Sequence, residues 1–167
     1  MKNRYKVLGG TTNMENKKLY VPWADYVKMI SDLAFQMKDE GFTDIIGISR
    51  GGLIPAQLLA YQLNIRRVHC FGISSYSEAN ERLTGDAVNI YQRVTAKFNK
   101  DCNILVVDDV ADSGLTFKRC VGFHYDFEAA NKYKLCALHY KPCSVIKPDY
   151  YAFEVPAETW ITYPYDT

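Results

Sequence analysis

From Trp23 onward, apolar residues recur every three or four positions: Tyr26, Val27, Ile30, Leu33, Ala34 and Met37. This spacing predicts an amphipathic helix with Pro22 in its first turn and Gly41 as its stop. The pattern then changes. Asp44 to Ser49 is a short apolar run of the buried-strand kind, and Arg50-Gly51-Gly52 turns it into a helix from about Leu53 to Leu63. Arg67 to Ser75 reads as a further strand, followed by a long polar loop over Tyr76 to Ala87 and an extended return at Val88 to Val94. Asn103 to Val107 is a strongly apolar strand ending at Asp108-Asp109. A helix from about Gly114 to Ala130 follows, with Leu115, Phe117, Cys120, Val121 and Tyr125 turned inward, then strands near Lys134 to Tyr140 and Tyr150 to Val155. Strands alternating with helices predict an α/β fold, a mostly parallel central sheet covered by helices on both faces. Residues 1–19 are polar and read as a flexible leader; residues 20–167 form one domain.

Composition narrows the classes of function. A chain of 167 residues buries a core without metals or disulfides. With 20 basic and 19 acidic residues the formal net charge is +1, so nothing draws the chain as a whole to nucleic acid or an anionic membrane. Any anion must be bound locally. Five cysteines, an odd number without CxxC spacing, suggest neither a disulfide framework nor a zinc site and fit a reducing cytoplasm. No apolar run approaches membrane-spanning length.

The candidate chemistry centres on Ile104-Leu105-Val106-Val107-Asp108-Asp109-Val110-Ala111-Asp112-Ser113-Gly114-Leu115-Thr116. An apolar strand delivers a turn with Ser, Gly and Thr onto a helix start, where unpaired N–H groups and the positive dipole end hold a phosphate. Ser113 and Thr116 add hydroxyl donors, and Gly114 lets backbone approach a ligand. Three acids beside a phosphate would repel it unless they face sugar hydroxyls, a metal or a mobile proton. A phosphorylated sugar offers all three. No lysine follows the glycine and GxGxxG is absent, which disfavours nucleoside-triphosphate and dinucleotide loops. The competing account is a solvated turn with an ordinary helix cap.

This stretch resembles the phosphoribosyl pyrophosphate motif of the type I phosphoribosyltransferases, and further segments are similar to the bacterial xanthine-guanine branch of that family. Ile48-Ser49-Arg50-Gly51-Gly52-Leu53-Ile54-Pro55 resembles its pyrophosphate loop, and Ile73-Ser74-Ser75-Tyr76 with Asn80-Glu81-Arg82 resembles the start of its flexible closing loop. Tyr140-Lys141-Pro142 and Glu158-Thr159-Trp160-Ile161-Thr162-Tyr163-Pro164-Tyr165-Asp166 resemble its base-binding elements, in a small C-terminal hood. The resemblance implies purine salvage: transfer of a 5-phosphoribosyl group from phosphoribosyl pyrophosphate to guanine, xanthine or hypoxanthine, with magnesium.

By the same resemblance, Asp108, Asp109, Ala111, Asp112, Ser113, Gly114, Leu115 and Thr116 hold the ribose 5-phosphate, and Ser49, Arg50, Gly51 and Arg82 take the pyrophosphate. Lys141, Trp160, Ile161 and Asp166 meet the base. Asp112 accepts its imidazole proton, with Asp108 and Asp109 as the other catalytic acids; Asp109 also holds magnesium, directly or indirectly. A lysine donor favours an oxo over an amino purine, since an amino group there would face it donor to donor. His69, His124 and His139 read as structural or surface residues, and the 13 tyrosines as core and interface, consistent with a homodimer or homotetramer. Two rivals stay open: a noncatalytic phosphoribosyl-binding regulator on the same fold, and transfer to another nitrogenous base.

Overall fold

The computed structural model describes residues 17–74, 89–123 and 132–166. In chain order the elements are β1 (Lys18–Tyr20), α1 (Trp23–Met37), β2 (Asp44–Ser49), α2 (Leu53–Gln62), β3 (Arg67–Ser74), β4 (Asn89–Gln92), β5 (Asn103–Ala111), α3 (Leu115–Phe123), β6 (Lys132–Tyr140), β7 (Tyr150–Glu154) and β8 (Trp160–Thr162). Six strands form one sheet in the order β4-β3-β2-β5-β6-β7, and only β4 runs antiparallel to its neighbour. The α/β expectation holds: α1 and α2 cover one face and α3 the other.

Both faces are dry, which is why the central strands are apolar on consecutive residues rather than alternately. Ile45, Leu105, Val107, Cys136 and Leu138 point to the α1/α2 side, where Tyr26, Ile30, Leu33, Met37 and Leu59 meet them. Ile46, Ile48, Ile104, Val106 and Ala137 point to the α3 side, against Phe117, Cys120, Phe71 and Phe98. Each fully buried aliphatic side chain there contributes roughly 1.5–3 kcal/mol.

Three boundaries differ from the sequence reading. Lys18 and Leu19, assigned to the leader, form β1, which pairs in parallel with β8 of the C-terminal hood. Three-residue strands carry too little periodicity to be seen in sequence. Pro22 caps α1 from outside, with extended backbone, rather than opening its first turn. Most consequentially, β5 does not stop before the acids; it pairs with β6 as far as Ala111↔Tyr140. Residues 75–88, with the expected loop, and Tyr125 lie outside the described residues.

Candidate active site

The site lies at the carboxyl ends of β2 and β5, where adjacent parallel strands each run into a turn and a helix. Because β5 continues through Asp108 and Asp109, its alternation sends the two carboxylates to opposite faces of the sheet. Asp108 turns toward α3, near Cys120, and is 8% exposed. It accepts a hydrogen bond from the Asp109 N–H at 3.0 Å. Burial, then the neighbouring Asp109 charge, raises its pKa well above the ordinary carboxylate value. Asp109 turns toward α1 and the hood; burial pushes its carboxyl up to about 6 against the lowering effect of its hydrogen bonds, that from Tyr165 included.

The β2–α2 turn presses on this strand end. The Ser49–Arg50 peptide bond is cis. A Cβ on Gly51 would run into the Asp109 carboxylate, and one on Gly52 into the Val107 carbonyl. Both glycines are therefore required for the close approach of two backbones. Arg50 is exposed, and the Ser49 hydroxyl shares a short hydrogen bond with that of Tyr91 on β4. Tyr91 in turn lies over Gly72, where a Cβ would meet its ring.

The turn from Asp112 to Thr116 is fastened to the segment after β6. Lys141 N–H donates to the Ala111 carbonyl and Val145 N–H to the Ser113 carbonyl, each at 3.0 Å. The Cys143 thiol reaches the Asp112 carbonyl at 3.6 Å. Gly114 has φ +75° and abuts Ser144, so both its conformation and its space exclude a side chain. The result brings the Lys141 ammonium to 3.2 Å from the Asp112 carboxylate. Lys141 is only 8% exposed, and a cation so buried needs that partner. Ser113, Leu115 and Thr116 open α3 at the same edge, the Leu115 N–H lying 3.4 Å from the Ser113 hydroxyl.

The hood supplies the remaining residues. Trp160 is 61% exposed, a large ring held on a strand whose backbone is fixed on both sides: Trp160 N–H donates to the Lys17 carbonyl at 2.8 Å, and Val21 N–H to that of Thr162 at 3.0 Å. Ile161 packs under it against the α1-side core. The Asp166 carboxylate accepts from Tyr163 N–H at 2.9 Å, closing the turn after β8. Of the site residues assigned from sequence, Arg82 lies outside the described residues.

Sequence reasoning gave Tyr163 and Tyr165 no individual role and read His139 as a structural or surface residue. The Tyr163 hydroxyl donates to the Asp109 carbonyl at 2.8 Å and lies 2.9 Å from His139 Nδ1. Its one proton being committed to that carbonyl, it accepts from His139, whose neutral ring carries hydrogen on Nδ1. Burial lowers the His139 pKa to about 4, in keeping with a neutral ring. The Tyr165 hydroxyl sits 3.3 Å from Asp109 Oδ2 and 3.4 Å from the Gly51 carbonyl. The one signal in sequence was two tyrosines flanking Pro164 directly after the Trp160 strand.

The turn after β5 and the paired Lys141 and Asp112 thus lie at the switch point of an open parallel sheet, the usual place for a ligand in such folds. The family description of a phosphoribosyl transferase domain matches residues 22–166. The chain is 33% identical over 152 residues to the xanthine-guanine phosphoribosyltransferase of Idiomarina loihiensis, an alignment covering 90% of this chain and 88% of that protein. A purine phosphoribosyltransferase from Pyrococcus horikoshii superposes with a TM-score of 0.76 at 27% identity, covering 90% of this chain and 95% of that one. Sequence and fold agree, and the chain belongs to the phosphoribosyltransferase family.

Proposed function

We propose that this protein transfers the 5-phosphoribosyl group of phosphoribosyl pyrophosphate to a 6-oxopurine, guanine, xanthine or hypoxanthine, in purine salvage. The observation that carries this is the 3.2 Å pair of Lys141 and Asp112, built where the turn from Asp112 to Thr116 is fastened to the segment after β6. The amides and hydroxyls of Ser113 to Thr116 hold the 5-phosphate, with Ala111 and Leu115 shaping the turn. Lys141 donates to the purine 6-oxo group, and Trp160 with Ile161 covers the ring; Asp166 borders its far edge. Binding fixes the purine nitrogen in line with the anomeric carbon. The bond from that carbon to pyrophosphate breaks as the bond to nitrogen forms, and the displaced imidazole proton passes to Asp112. Arg50, with Ser49, Gly51 and Arg82, receives the pyrophosphate charge.

Asp109 fits a magnesium ion held mainly by substrate phosphates and water, because burial has left its carboxylate short of compensating charge. When bound, the ion neutralises charge on the leaving pyrophosphate.

The protein works as a homodimer or homotetramer in the cytoplasm. Trp23, Val27 and Phe35 expose an apolar stripe along α1, beside Tyr61 of α2, and light scattering of the purified chain tests the assembly. All five cysteines are free thiols, in keeping with a reducing compartment. Among the described residues no helix is long and apolar enough to cross a membrane. Incubation with phosphoribosyl pyrophosphate, magnesium and each candidate base, with identification of the nucleotide formed, tests the activity. Formation of no 6-oxopurine nucleotide overturns it.

A further inference from the structure

Tyr165 occupies a junction that the proposed chemistry leaves unused. Three chain segments with different tasks meet at its hydroxyl: the end of β5 through Asp109 Oδ2 at 3.3 Å, the β2–α2 turn through the Gly51 carbonyl at 3.4 Å, and the hood, to which Tyr165 itself belongs. Its ring is gripped from several sides. It stacks on Tyr163 at 5.6 Å with planes 12° apart, meets Tyr26 edge-on at 5.8 Å and lies 6.5 Å from Trp23. The ring contacts do not depend on the oxygen, which has a further hydrogen-bond partner in the Tyr26 hydroxyl.

A hydroxyl carries one proton and can serve one of these two acceptors fully or share it between them. Both distances exceed the range of about 2.5–3.0 Å usual for O–H donors, so neither acceptor holds the proton fully. Asp109 is also held through its backbone by Tyr163, which stands two residues before Tyr165 on the same turn. That turn is closed by the Asp166 carboxylate on Tyr163 N–H and by Asp166 N–H on the Tyr163 carbonyl at 3.0 Å. Any displacement of the segment from Trp160 to Asp166 therefore reaches Asp109 and Gly51 through one rigid turn.

We propose that Tyr165 is a positioning residue that couples the base side of the site to the pyrophosphate side, so that occupation of either favours occupation of the other. The inference rests on the phosphoribosyltransferase reading given above. Coupling requires that each ligand discriminate between two settings of a shared element. Here that element is the Tyr163–Asp166 turn, and the settings differ in whether the Tyr165 proton serves Asp109 or Gly51.

The test is calorimetry on the full chain. The probes are magnesium phosphoribosyl pyrophosphate and an inert guanine analogue with carbon in place of the nucleophilic imidazole nitrogen. In the unaltered protein the analogue should bind at least about five-fold more tightly when phosphoribosyl pyrophosphate is present. In Tyr165→Phe, which keeps every ring contact, that enhancement should shrink by about five-fold or disappear. An enhancement in Tyr165→Phe within about two-fold of the unaltered protein's would overturn the proposal, as would its absence in the unaltered protein. A second measurement needs no variant: phosphoribosyl pyrophosphate alone should slow amide hydrogen exchange across residues 160–166, and unchanged exchange there also overturns it. Failure of both probes to bind at all would instead refute the underlying functional reading.

Discussion

The strand β2 begins with one buried acid, and its neighbour β5 ends with two; the contrast separates what holds this molecule together from what it is built to do. Asp44 is 2% exposed, yet it accepts hydrogen bonds from Thr43 at 2.7 Å, Arg67 at 2.7 Å and His69 Nε2 at 2.9 Å. Burial alone would raise its pKa, but those donors hold it below the ordinary carboxylate value. Asp108 and Asp109 are raised instead: burial dominates at both, the Asp109 charge adding to it at Asp108 and the Asp166 charge at Asp109, where hydrogen bonds from Val110 N–H and Tyr165 offset only part of it. A carboxylate that folding satisfies stabilises the fold; one that folding leaves short of partners is available to a ligand.

Exchanging charge for amide should show this most sharply at Asp109. Asp109→Asn should lower kcat/KM for phosphoribosyl pyrophosphate by about a hundred- to a thousand-fold, in the range seen when an electrostatic stabiliser is removed. In metal-free buffer at pH 7.5 the same variant should be no less stable than the parent, and more stable by about 1–3 kcal/mol if relief of the buried charge is fully realised. Steady-state kinetics and urea unfolding on one preparation check both halves. A variant that is destabilised and fully active would reverse the assignment.

Asp44→Ala is the converse. It strips three donors of their acceptor, and breaking a buried ionic group in this way costs about 3–5 kcal/mol, the upper part of that range being softened by the exposure of Arg67. At temperatures where the variant remains folded, turnover should fall less than about two-fold, because Asp44 stands at the far end of its strand from the candidate site. Thermal unfolding monitored beside activity separates the two effects.

How far this contrast was legible in sequence depended on length and locality. The run from Asp44 to Ser49 was matched to the residue, because the short apolar stretch Ile45-Ile46-Gly47-Ile48 is bounded by turn formers and suits a buried parallel strand. The turn from Asp112 to Thr116 stood out because hydroxyls and a glycine sit between an apolar strand and a helix. What escaped was every relation across chain distance. Nothing near Lys141 reveals that its ammonium meets Asp112, 29 positions earlier; nothing near Tyr165 points to Gly51. The opposed orientation of Asp108 and Asp109 escaped for another reason. Strand pairing with β6 carries β5 past its apolar stretch, and tertiary hydrogen bonding outweighed the weak strand preference of aspartate.

Acid titration sharpens the comparison further, because the buried groups act with opposite signs. His139, neutral when folded with its pKa lowered from 6.5 to about 4, contributes stability that is fully present above about pH 6.5 and is lost as pH falls through 4. The span corresponds to about 3 kcal/mol at most. Asp109, raised from 3.8 to about 6, works the other way: its burial costs stability above pH 6, and that cost disappears as pH falls toward 4. Between pH 7.5 and pH 4.5 the two contributions of the metal-free protein therefore oppose each other, and Asp108, also raised by burial, adds to that of Asp109. His139→Gln should remove the loss and leave a protein that gains stability on mild acidification; denaturant titrations at the two pH values check the sign.

The smallest effect is expected at the functional end of β2, where Ser49 meets Tyr91. Tyr91→Phe removes one partly exposed hydroxyl contact and leaves the ring over Gly72, so stability should change by no more than about 1 kcal/mol. If Ser49 belongs to the pyrophosphate side of the site, the loss should fall on KM for phosphoribosyl pyrophosphate, by roughly two- to five-fold, with KM for the base untouched. Asp44 anchors one end of this strand by burial, at a cost in stability when it is removed. Tyr91 holds the other end from an exposed position, and its removal should register in substrate affinity alone. Equal shifts in both KM values would mean that Tyr91 supports the sheet edge rather than the turn, and that the functional end of β2 begins only at Arg50.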